Sequence, residues 1–288
     1  MCGCVCGELH GFALAVTSRM GARIQGVTHS GRDGDLSSTQ ARHAHLPRAE
    51  IVRREDFTHD LFVLWLMPEV EFRFKPGQYI TVGAGGLERP YSIASAPYEP
   101  LIELFIEFVL PEHGGKLTPL LYAQHVGDIV TIRPKAHGLF TLREKVTNHV
   151  MVGTVTGIAP YVSMIRQFLH DRSIGVDGRE GDRFFVMGGA SHRDEFVYDT
   201  EFRRLSEEHP DVIQFVCSVS RPWAERNTGW TGRTGRINSL IEEYLDRWKL
   251  PQNDTVVYLC GNPGMIDDAK QRIVPKGWSV AEERFWRS

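Results

Sequence analysis

The feature that most constrains this chain is a change of period partway along it. Between Ala49 and Arg133, short strand-like runs follow one another with turns between them, at residues 50–54, 61–67, 78–82, 91–95, 102–109 and 128–133. Pro76-Gly77, Gly85-Gly86 and Val126-Gly127-Asp128 punctuate them. Short strands at this spacing predict a small antiparallel β-barrel or sandwich. From about Lys145 the runs 149–153, 184–189, 212–219 and 255–260 read as strands, and 158–170, 198–207, 236–248 and 265–273 as helices. Strands alternating with helices predict a parallel sheet wound on both faces, with ligands at the carboxyl ends of its strands. The expected organisation is an N-terminal extension over 1–46, a β-barrel domain over 47–146 and an α/β domain over 147–288.

A length of 288 residues suits two domains, and 42% hydrophobic with 24% charged residues describes an ordinary globular composition. A formal net charge of -3 gives no electrostatic reason to expect nucleic acid. No apolar run reaches bilayer length and no secretory signal is visible, so the expected location is cytoplasmic. Cys2, Cys4 and Cys6 form a C-x-C-x-C pattern that fits neither a zinc nor an iron–sulfur spacing, and no metal site is expected. They sit in a Gly-, Ser- and His-rich extension that reads as mobile. Cys217 and Cys260 lie in apolar runs and are expected to stay reduced.

Four stretches carry chemistry. In Glu88-Arg89-Pro90-Tyr91-Ser92, a strand sets Arg89 and Tyr91 on one face and Ser92 on the other, a combination able to hold a flat aromatic ligand bearing a phosphate. An ordinary strand with a solvated arginine is the alternative. Gly114-Gly115-Lys116-Leu117-Thr118 opens a helical stretch expected to run to about Gln124, and exposed backbone N–H groups with the Thr118 hydroxyl would seat a phosphate there. Thr154-Val155-Thr156-Gly157-Ile158-Ala159-Pro160 turns from strand to helix; Gly157 admits a ligand close to the backbone and Pro160 suits a first helical turn. Cys260-Gly261-Asn262-Pro263 makes a second turn of the same kind.

Taken in order, these motifs resemble those of the ferredoxin–NADP reductase family in its bacterial form, over about residues 47–288. Arg89-Pro90-Tyr91-Ser92 is similar to the family's R-x-Y-S flavin motif, Lys116-Leu117-Thr118 to its FAD-diphosphate segment, residues 153–160 to its nicotinamide-dinucleotide loop, and Cys260-Gly261-Asn262-Pro263 to its C-G-N/D-P signature. Glu283-Arg284-Phe285-Trp286 resembles the tail whose aromatic residue covers the flavin. The resemblance implies FAD and NADP as cofactors. Arg89 would pair with the FAD diphosphate, Tyr91 pack on the isoalloxazine and Ser92 hydrogen-bond near its reactive nitrogen. Cys260 would sit beside the hydride-carrying carbon, Phe285 or Trp286 would stack on the flavin, and Glu283 would relay protons.

Two positions depart from the family pattern. Val155 stands where a second glycine is usual, and Ser191 stands where an arginine is usual, with Arg193 displaced by two. Arg193, Ser220, Arg221, Arg233 and Arg236 remain as candidate partners for the 2′-phosphate of NADP. The implied function is an FAD enzyme moving electrons between NADPH and ferredoxin or flavodoxin, acting as a monomer or weak dimer, without nucleic acid or membrane. Arg73, Lys75, Lys135 and Arg143 would offer a basic face to an acidic carrier. An NADH-dependent reductase for another acceptor, or a flavin-binding regulatory subunit, are the alternatives.

Overall fold

The computed structural model describes residues 45–176 and 178–284. Residues 1–44 of the expected extension, and Phe285 and Trp286, lie outside them. Strands β1 (Arg48–Asp56), β2 (Leu61–Pro68), β3 (Tyr79–Ala84), β4 (Leu87–Ser92), β5 (Ile102–Glu107) and β6 (Ile129–Ile132) form one antiparallel sheet, in the order β4-β3-β6-β1-β2-β5. Its end strands meet through the single bridge Ile93–Leu104, so the sheet is barrel-like without a continuous closing ladder. Alternation along β2 divides its side chains. Phe62, Leu64 and Leu66 fill the sheet's interior with Ile51, Ile80 and Val130, while Leu61 and Val63 face the second half of the molecule.

Strands β7 (Asn148–Thr154), β8 (Arg183–Ala190), β9 (Ile213–Val219), β10 (Arg233–Thr234), β11 (Thr255–Gly261) and β12 (Ser279–Arg284) form the second sheet, ordered β10-β9-β8-β7-β11-β12 with every pair parallel. Helices α1 (Thr118–Tyr122), α2 (Ala159–Ser173), α3 (Asp199–Glu208), α4 (Ile241–Trp248) and α5 (Pro263–Ile273) complete the regular structure. The strand order reverses at β7, which has β8 on one side and β11 on the other. The turns that leave β7 and β11 therefore lie side by side at the carboxyl ends, where such sheets bind ligands.

Strands β10 and β12 were not among the expected elements, and three expected elements differ in their bounds. Gly85 and Gly86 both have positive φ, 56° and 79°, and make a two-residue hairpin, so β4 starts at Leu87 rather than at 91. Pro90 is tolerated because β4 is an edge strand. The helix expected from Gly114 shrinks to α1, because Gly114 is left-handed at φ 89° and a Cβ on Gly115 would collide with the Val109 carbonyl. The helix expected over 236–248 begins as a 3-10 turn, Ile237–Leu240, and becomes α-helical at Ile241.

The two sheets share a core. Leu61, Val63, Phe105 and Phe140 pack with Met151, Tyr161, Met164 and Tyr258 in one buried cluster. Phe140, from the segment joining the two sheets, meets Tyr258 edge-on with ring centroids 5.7 Å apart. The opposite face of the parallel sheet is covered by α4 and α5 through Ile241, Leu245, Ile266 and Ile273.

Candidate functional site

The hairpin places β4 along a cavity of about 260 Å³ lined by Arg89, Pro90, Tyr91 and Ser92 on one side and Gly114 to Thr118 on another. Phe105, Ile106 and Glu107 of β5 form its floor, and Thr156 and Ala159 reach it from the parallel half. Because the cavity runs along an edge strand, it meets side chains from both faces of β4. Arg89 and Lys116 are exposed, Tyr91 is half-buried and Leu117 is buried beneath them. Burial raises the Tyr91 hydroxyl above its ordinary pKa. The Thr118 hydroxyl accepts from the Val109 N–H at 3.0 Å and donates to the Val109 carbonyl at 3.2 Å, fixing the loop to the segment that follows β5.

A second cleft lies at the carboxyl ends of the parallel strands. Thr154, Val155 and Thr156 line it with Gly261 and Asn262, and Ser191, Ser220, Arg221, Trp223 and Arg236 form its outer wall. The two spaces share Glu107 and Thr156. Among the described residues no hydrogen bond or ion pair engages the guanidinium of Arg221 or Arg236, although the Asp268 carboxyl, held low first by its hydrogen bond from Arg272, is also lowered by the Arg236 charge. Both guanidinium groups are able to receive an anion. Arg193 is not part of the wall; its Nη1 donates to the Thr228 carbonyl at 2.9 Å. Arg233 is likewise engaged, with Glu243.

Gly157 has a packing reason beside the one the sequence suggests. A Cβ there would collide with the Cys260 carbonyl oxygen, so the residue is small in order to seat the β7 turn against the β11 turn. The Asn262 N–H donates to Thr154 Oγ1 at 3.0 Å and joins the same two turns. Asn262 also caps α5, its Oδ1 accepting from the Gly264 and Met265 N–H groups at 2.9 and 3.3 Å. α2 has no side-chain cap because it continues from the 3-10 turn Val155–Ile158, the Ala159 N–H donating to the Thr156 carbonyl, with Pro160 in the first turn where no donor is needed. Val155 has φ 46°, a left-handed conformation costly for a β-branched residue and natural for the glycine it replaces.

At the meeting of the two halves, three segments bring Ser92, Cys260 and Glu283 together. Cys260 and Glu283 are paired across β11 and β12, and Ser92 Oγ donates to Glu283 Oε2 at 3.2 Å. Burial raises the Glu283 carboxyl to about 7, against the smaller opposing effect of the Ser92 hydrogen bond. Cys260 is fully buried, and burial, reinforced by the Glu283 charge, holds its thiol well above the ordinary range. At neutral pH it is an uncharged SH group. The sequence reading missed Glu107, at the lip shared by both spaces, and Trp223, which is 82% exposed beside Arg221. The only signal for Glu107 was a carboxylate ending an apolar strand, and nothing distinguished Trp223.

An antiparallel sheet and a parallel sheet joined around this pair of clefts define a two-domain nucleotide-dependent oxidoreductase. Residues 151–271 match the oxidoreductase NAD-binding domain. The flavodoxin/ferredoxin–NADP reductase of Buchnera aphidicola (Schizaphis graminum) is 26% identical over 265 residues, covering 83% of this chain and 98% of that one. The protein of the same name from Escherichia coli K12 is 29% identical over 234 residues, covering 77% and 87%. A crystal structure of a ferredoxin NADP+ reductase from Neisseria gonorrhoeae with bound FAD and NADP superposes with a TM-score of 0.70 at 23% identity, covering 83% and 98%. In sequence the chain is thus similar to ferredoxin–NADP reductases along most of their length, and in fold it is similar to a solved one.

Proposed function

We propose that the chain is an FAD-dependent reductase that moves electrons between NADPH and ferredoxin or flavodoxin. The observation that carries this reading is that the two clefts share Glu107 and Thr156, with Ser92 lining the first and hydrogen-bonded to Glu283. The donor set of the first cavity fits FAD: two cations, Arg89 and Lys116, for a diphosphate, and the half-buried Tyr91 ring for a flat heterocycle. FAD, when bound, takes up a hydride and releases its electrons one at a time, which suits a partner that carries single electrons.

The chain's own contribution is to bind, to orient and to exclude water. Thr156 and the turn that leads into α2 receive the nucleotide diphosphate, with Thr154, Gly261 and Asn262 forming the facing turn and Gly157 letting the two turns approach. Arg221 and Arg236 with Ser220 take the 2′-phosphate of NADP, which favours NADPH. The buried neutral Cys260 gives the reacting carbon a dry contact, and Glu283 holds a proton near neutral pH where Ser92 fixes its carboxyl. A cytoplasmic location belongs to this reading too, supported by the free buried thiols of Cys217 and Cys260.

One observation favours a second reading, NADH with a different acceptor: in the 190–193 stretch only Ala190 and Ser191 line the cleft, and Arg193 turns away. The test is NADPH-driven reduction of a cytochrome with and without added ferredoxin or flavodoxin. The reading expects turnover to depend on the carrier. Failure of both carriers to accelerate it, with the flavin itself reduced, would move the assignment to the second reading.

A further inference from the structure

Arg166 lies in α2, about 10 Å along the helix from the turn that meets the nucleotide cleft. Its guanidinium is divided between the two halves of the molecule. Nε and Nη2 donate to the two oxygens of Glu201 on α3 at 2.8 and 2.7 Å, and Nη1 donates to Glu103 Oε2 on β5 at 2.7 Å. Glu99 Oε2 stands at 3.5 Å from Nη1. The other oxygen of Glu103 accepts from the Tyr198 hydroxyl at 2.6 Å. Glu103 is 4% exposed.

This cluster is poorly arranged for stability alone. Three carboxylates surround one cation, and burial with the neighbouring Glu103 and Glu201 charges raises the Glu99 carboxyl. Buried charge of this kind usually gains little over apolar packing. What it supplies instead is direction, because a planar fork engaged on two sides fixes an angle that apolar contact leaves free. The angle concerned is that between the two cofactor sites. Glu103, Phe105 and Glu107 share one face of β5, with Phe105 and Glu107 lining the first cavity. On the other side Arg166 shares its helix with Ala159, which lines the same cavity.

We propose that Arg166 is a positioning residue for hydride transfer, setting the parallel sheet against the antiparallel sheet through Glu103 and Glu201. The proposal rests on the FAD and nucleotide assignment above. Arg166→Ala would leave Glu103 and Glu201 unneutralised and is a poor test, since it risks the fold. Glu103→Gln keeps the shape and the Tyr198 acceptor while removing one charged arm, and Arg166→Lys keeps the charge while losing the fork. The measurement is anaerobic stopped-flow reduction by NADPH, with the limiting rate taken per bound flavin and the nucleotide Kd and Tm recorded alongside.

Both variants are expected to lower the limiting rate by about tenfold or more, with Kd within about twofold, as a small misplacement of reacting atoms would. A lowered Tm with an unchanged limiting rate per flavin would overturn the proposal and leave the cluster a fold-holding contact. An unmodified protein whose bound flavin is reduced by neither NADPH nor NADH would overturn the functional reading itself, and this proposal with it.

Discussion

Glu283 shows how one residue's surroundings set its chemistry. Buried beside Ser92, its carboxyl titrates at about 7 instead of the ordinary 4.5. A carboxyl raised in the folded state stabilises the fold only while protonated. Its contribution is full below about pH 4.5 and is lost as pH rises through about 7. Glu283→Gln should therefore remove a fall in stability of at most about 3 kcal/mol across that window, measured by denaturant unfolding at several pH values. The same substitution should abolish the alkaline limb near pH 7 in the rate of flavin reduction; a limb unchanged in the variant would show that another group titrates. Gly157→Ala should cost about 1–3 kcal/mol and weaken nucleotide binding roughly tenfold, because its Cβ would collide with the Cys260 carbonyl. Normal Tm and Kd in that variant would refute the packing reason given for the glycine. At this scale the sequence was informative about identity and blind to partners. Ser92, Cys260 and Glu283 were each nameable, but the Ser92–Glu283 hydrogen bond spans most of the chain and no local pattern encodes it.

The turns after β7 and β11 work as one element, pinned by the Asn262 N–H to Thr154 and by Gly157 against Cys260. Asn262→Ala removes the cap of α5 and should lower stability by about 1 kcal/mol, readable as a reduced Tm. A Tm equal to the parent's would mean that solvent replaces the cap without cost. Most elements were legible because their apolar period is strong: β7, β8 and β11 are buried on both faces and read as continuous runs. β12 was not. It is an edge strand with mostly polar, partly exposed residues, and it supplies Glu283 only through its pairing with β11. β4 was misplaced because its start is set by the left-handed Gly85-Gly86 hairpin, while the period of residues 91–95 points to a strand further on. The partner of the Thr118 hydroxyl was hidden for a similar reason: Val109 lies on the other side of a glycine loop.

Across the whole molecule, a buried cluster running from Leu61 and Phe105 to Met151 and Tyr258 holds the two sheets together, and Arg166 ties β5 to α2 and α3. The order of motifs made the resemblance to ferredoxin–NADP reductases legible from sequence alone. The junction at Glu107 and Thr156, where electrons would pass, emerges only when the two sheets are packed. That junction is the centre of the account, and anaerobic stopped-flow reduction of the purified flavoprotein by NADPH and separately by NADH tests it most directly. The account predicts bleaching of the flavin by NADPH at far lower concentrations than by NADH, with Arg221 and Arg236 reading the extra phosphate. Flavin that neither nucleotide reduces would contradict it.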